Sequence, residues 1–124
     1  MALGRRQDFE MHSGDDLDLV ITVQDPAGAG VIVSGVTDAV RWQLGRLATG
    51  SIGPATPGSP LVAKSMASGQ IVVSGLSGYV VVLSGVDTAD LRTADYYHEL
   101  EIVVSGRTTT AMYGVTTIQS DLVE

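Results

Sequence analysis

Tyr96, His98, Leu100, Ile102 and Val104 alternate with Tyr97, Glu99 and Glu101 in the longest clean period-two run of the chain. Such alternation predicts a half-buried antiparallel strand, reached here through the polar segment Asp87-Thr88-Ala89-Asp90. Leu17, Leu19, Ile21 and Val23 alternate with Asp18, Val20, Thr22 and Gln24 in a second strand, which Pro26 and the glycines after it stop. In a third, Val40, Trp42 and Leu44 oppose Arg41 and Gln43, which turns the lone tryptophan into the core. Shorter strands are expected around 7–12, 61–66, 70–74, 79–84 and 108–119, with a brief apolar piece at 31–33 and Gly114 kinking or bulging the last. The runs at 70–74 and 79–84 are apolar without strict alternation, which implies burial on both faces or cover from a neighbouring subunit.

No segment longer than one turn has the three-and-four spacing of a helix, and a single helical turn is expected over 87–91. About eight short strands, with turns roughly every eight to twelve residues, predict an all-β fold, an immunoglobulin-like antiparallel β-sandwich. Residues 1–6 read as an N-terminal arm and 7–124 as one sandwich domain. Residues 48–60 hold three of the four prolines and form a long Gly/Pro-rich loop, equally an ordered contact surface or a flexible tip.

Composition narrows the partners. Seven basic against fourteen acidic residues leave a formal charge of −7, which repels a phosphate backbone and argues against nucleic acid. The chain has no cysteine, so disulfides, thiolate metal sites and thiol nucleophiles are excluded, and synthesis in a reducing cytoplasm is expected. No run approaches the eighteen or so apolar residues of a membrane span, and none follows the N-terminal basic residues as a leader would require.

Candidate chemistry is sparse. Of the two histidines, His98 reads as a hydrogen-bonded structural residue rather than a ligand. Asp15, Asp16 and Asp18 lack the loop pattern and distal glutamate of a calcium site and read as turn residues. No Gly-x-Ser-x-Gly elbow is present, and Gly28-Ala29-Gly30 lacks the helix and acidic partner of a dinucleotide site. The reading is therefore a protein that is not an enzyme, with no cofactor and no metal.

Several stretches together carry a resemblance: Phe9 with Gly14-Asp15-Asp16, Val23-x-Asp25, Val33-Ser34-Gly35, Val40-Arg41-Trp42-Gln43-Leu44 and Ser68-Gly69-Gln70-Ile71. Asp87-Thr88-Ala89-Asp90-Leu91, Tyr96-Tyr97-His98-Glu99-Leu100 and Gly114-Val115-Thr116 complete it. From about Phe9 to Val123 the chain resembles small immunoglobulin-like virion proteins of tailed bacteriophages, and is similar to the N-terminal domain of phage baseplate upper proteins. It departs from them in the Gly/Pro loop and in lacking the receptor-binding continuation. The resemblance implies a non-enzymatic structural protein of the virion, made in the host cytoplasm. A capsid-decorating or capsid-stabilising subunit bound to the major capsid protein is expected first, and a baseplate, neck or tail component second. A homo-oligomer is expected, with a trimer fitting three-fold positions. A carbohydrate-binding adhesin module is the alternative from another class. Candidate partner contacts are Arg5 and Arg6, Ile52, Pro54 and Pro57 in the loop, and Tyr113 in the last strand.

Overall fold

The computed structural model describes residues 5–25, 27–30, 39–56 and 58–119. Nine strands and one helical turn are present among them: β1 (Arg5–Arg6), β2 (Phe9–His12), β3 (Leu17–Thr22), β4 (Ala39–Arg46), β5 (Val62–Ser65), β6 (Ile71–Ser74), β7 (Gly78–Leu83), α1 (Gly85–Thr88), β8 (Ala94–Val104) and β9 (Arg107–Gln119). The piece expected at 31–33 lies outside the described residues. Two sheets result: a large one ordered β1/β2-β9-β8-β4-β5 and a small one ordered β3-β7-β6. Strands β3, β7 and β6 take the B, E and D places of an immunoglobulin-like sandwich, and β4, β8 and β9 the C, F and G places.

Alternation dictates the layers. Leu19, Ile21, Ile71, Tyr79, Val81 and Leu83 face inward from the small sheet. Val40, Trp42, Leu44, Leu100, Ile102, Met112 and Ile118 meet them from the large sheet. Trp42 is 1% exposed, as its inward phase in β4 requires. Tyr96, at the start of β8, donates its hydroxyl to the Arg92 carbonyl at 2.9 Å. This is the tyrosine corner of immunoglobulin-like domains, in which the second cysteine of the inter-sheet disulfide follows two residues later. Here that place is held by His98.

Four expectations change. Arg5–Arg6 is not a free arm: it pairs parallel with Met112–Tyr113, and β2 pairs parallel with Thr116–Gln119, so this edge of the sandwich is not antiparallel. The two pieces share one register but are separate strands because the ladder is interrupted between them: the Gln7 N–H still reaches Tyr113 O, whereas the Gln7 carbonyl turns to His98 and the Val115 N–H to the Asp8 carboxylate. The bulge in β9 falls at Ala111, between Leu100↔Met112 and Glu101↔Thr110, so that Ala111 and Met112 are both buried. Gly114 serves another purpose: a Cβ there would overlap the Gln7 carbonyl as the N-terminal strand crosses it. The helical turn begins two residues earlier than expected, because the Asp87 carboxylate accepts the Ser84 N–H at 2.7 Å and closes the first turn.

Candidate contact surfaces

The outer face of the small sheet is built from the residues left over when β3, β7 and β6 turn their other side to the core. Register puts Val20, Val80 and Val72 in one row across the three strands. Asp18 pairs with Val82, whose N–H is received by the Gln70 carbonyl, and these three form the row above. Thr22, Gly78 and Ser74 form the row below. Val20 is 59% exposed, Val72 48% and Val82 42%, and Val80 is half-buried. Burial on both faces, one of the two readings of the non-alternating strands, does not hold within the chain. Leu76 and Val86, beyond the two ends of β7, are also exposed.

The N-terminal edge is a network of polar ties. Asp8 accepts Arg6 Nε at 3.0 Å and the Val115 N–H at 2.9 Å. The Arg6 guanidinium and that amide hold its carboxyl below the ordinary carboxylate range. Gln7 donates its backbone N–H to Tyr113 O at 2.8 Å and its side-chain amide to Thr22 O at 2.7 Å, reaching from the large sheet to the small one. Its carbonyl lies 2.7 Å from His98 Nε2. A carbonyl only accepts, so Nε2 carries the proton. Nδ1 then accepts from Trp42 Nε1–H at 3.3 Å. Phe9 packs edge-on against the same ring at 5.0 Å between centroids. Burial pushes the His98 pKa down to about 4, against weaker opposition from the Gln7 carbonyl. His98 is thus a neutral, doubly hydrogen-bonded bridge.

The loop after β4 is partly ordered. Ala48 N–H reaches Gly53 O at 2.8 Å, Ala55 N–H reaches Arg46 O at 2.7 Å, and Leu47 bridges Pro54. A shallow cleft of about 90 Å³ lies between this loop and the outer face of the large sheet, lined by Gln43, Pro54, Pro60, Tyr97 and Glu99. Tyr97 donates to Glu99 at 3.0 Å and is 8% exposed, and burial with the Glu99 charge raises its pKa. The cleft holds a few waters at most.

The structure therefore scatters the candidate contacts. Arg5 and Arg6 lie in β1, Arg6 ion-paired with Asp8 at 3.0 Å. Tyr113 sits half-buried beside them in β9. Ile52 and Pro54 are exposed on the loop, and Pro57 lies outside the described residues. The valine rows, absent from that set, were signalled by the missing alternation in β6 and β7. Among the described residues no group of three His, Asp or Glu side chains is arranged to hold a metal, and no helix is long and apolar enough to cross a membrane. No protein-family model matches the chain, and no curated protein matches it either.

Proposed function

We propose that this chain is a non-enzymatic structural protein of a tailed-phage virion, a subunit that decorates or stabilises the capsid. The observation that carries the reading is the valine-rich outer face of the small sheet. An acidic protein gains nothing alone from keeping valines 42–59% exposed on neighbouring strands. Contact with another protein takes them out of water, at about 25 cal/mol for each Å² of apolar surface buried. The resemblance of the sequence to small virion proteins supplies the setting, and the sandwich supplies a rigid body whose loops and outer faces meet neighbours.

The test is co-sedimentation of purified chain with empty capsids. Binding that saturates at a fixed stoichiometry per capsid is expected. Chain left in the supernatant, or bound instead to isolated tails or baseplates, would count against capsid decoration, the latter favouring a tail component.

A further inference from the structure

We propose that the cleft between the loop after β4 and the outer face of the large sheet receives the ammonium end of a lysine side chain from a partner protein. The inference deepens the assembly reading above, and rests on it only for the source of that lysine in a neighbouring virion protein.

Strand register brings the site together. On the outer face Gln43 of β4 pairs with Glu99 of β8, and Gly45 pairs with Tyr97. All four line the cleft, with Pro54 and Pro60 on the loop side. Gly45 leaves the floor open, since a Cβ added there meets nothing within 4 Å. Both loop walls are fixed: the Ala55 N–H beside Pro54 reaches Arg46 O, and the Leu61 N–H beside Pro60 reaches Leu44 O, each at 2.7 Å. The cleft is thus formed before anything enters it, which spares an occupant the cost of ordering the loop.

Glu99 decides the chemistry. It is the one charged residue lining the cleft, and it is half-buried. The ion pairs among the described residues are Arg6–Asp8, Arg41–Glu101 and Lys64–Asp87, and Glu99 is in none of them. Its Oε2 accepts the Tyr97 hydroxyl at 3.0 Å, a neutral donor that leaves the charge uncompensated. Arg41, two positions along β4 from Gln43, is turned to Glu101 at 3.7 Å. A carboxylate drawn partly out of water calls for a cation, and a chain of net charge −7 draws one in.

Size and geometry choose between the two basic side chains. A volume of about 90 Å³ accommodates the last few heavy atoms of one side chain. A guanidinium grips both carboxylate oxygens and has to displace the Tyr97 hydroxyl, whereas an ammonium is a point charge that needs only one of them. The Tyr97 ring and the two prolines give its methylenes apolar walls, and the Gln43 amide oxygen is a second acceptor.

The probe is n-butylammonium, titrated at constant ionic strength into the full isotope-labelled chain and followed by backbone amide shifts, with n-butanol as its neutral match. Saturable shifts centred on Gln43, Gly45 and Tyr97 are expected with the ammonium alone. Glu99→Gln keeps an acceptor for the Tyr97 hydroxyl and removes the charge, and it should weaken binding about tenfold. Gly45→Val fills the cleft without touching the carboxylate, and it should abolish binding with an unchanged circular dichroism spectrum. Equal shifts with n-butanol, a Glu99→Gln chain that binds as wild type does, or a wild type without saturable shifts overturns the inference. Capsid co-sedimentation separates it from the functional reading. A chain that binds n-butylammonium and ignores capsids keeps the ammonium site and sinks decoration. A Glu99→Gln chain that binds capsids as firmly as wild type keeps decoration and sinks the lysine contact.

Discussion

His98 shows how much one side chain settles when both its nitrogens are committed. Trp42 Nε1–H and the Gln7 carbonyl demand opposite roles of the ring, and only the neutral form meets both. Protonation would set Nδ1–H against an indole N–H that also donates. The ordinary histidine pKa near 6.5 of the unfolded chain falls to about 4 in the folded one. The unfolded state therefore binds the proton first as pH drops. This contribution to stability is complete above about pH 6.5 and is lost as pH falls through the folded value near 4, a total of about 3 kcal/mol. Denaturant unfolding at pH 7.5 and 4.5 should show the wild type losing roughly 2–3 kcal/mol more than His98→Gln over that interval. Equal losses would mean that the ring is not held neutral.

At the scale of elements, the β8–β9 hairpin turns on Ser105 and Gly106, both at positive φ, 51° and 78°. Glycine adopts that region freely, whereas serine does so at a cost. Ser105→Asn should raise stability by about 0.5 kcal/mol, read as a higher urea midpoint at unchanged slope. The hairpin was legible in the sequence, because Ser105-Gly106 separates two long apolar-polar runs. So was the inward face of β8, where Tyr96, His98, Leu100 and Ile102 are buried as their phase requires. The two-part N-terminal edge was not legible. Nothing in Arg5-Arg6-Gln7-Asp8 announces parallel pairing with residues about a hundred positions away, since that pairing is decided by Gly114 leaving room and by Asp8 finding the Val115 amide. The bulge at Ala111 escaped for a similar reason: glycine draws attention to itself, whereas a small buried alanine does the same work silently.

Across the whole molecule, the two layers are tied outside the apolar core as well. Lys64, on the edge strand β5 of the large sheet, meets Asp87 in the helical turn that follows β7, at 2.8 Å. The two side chains are 9% and 17% exposed. Burial opposes the charge on Asp87, but Lys64 and the Ser84 amide outweigh it and hold the carboxyl below its ordinary range. Lys64→Met keeps the aliphatic stem and leaves that carboxylate half-buried without its cation. It should cost about 1–2 kcal/mol in denaturant unfolding, less than a fully buried pair would, because Asp87 keeps the Ser84 N–H. The sandwich was legible as a whole because strand phase and turn residues repeat along the chain. The candidate contact surfaces differ in how they were legible: missing alternation in β6 and β7 marked a second apolar side, and loop composition marked Ile52, Pro54 and Pro57.

The parallel pairing of β1 and β2 with β9 also sets the order in which the domain can be completed. Asp8 and its partner Val115 are 107 residues apart. As the chain leaves the ribosome, residues 5–12 have nothing to pair with until residues 112–119 have followed. The hairpins β6–β7 and β8–β9 close over short spans, whereas the N-terminal edge closes over the longest span of any strand pairing among the described residues, the slowest kind of contact to form. Every newly made copy therefore passes through a stage in which Met112–Gln119 lies open as a free strand edge.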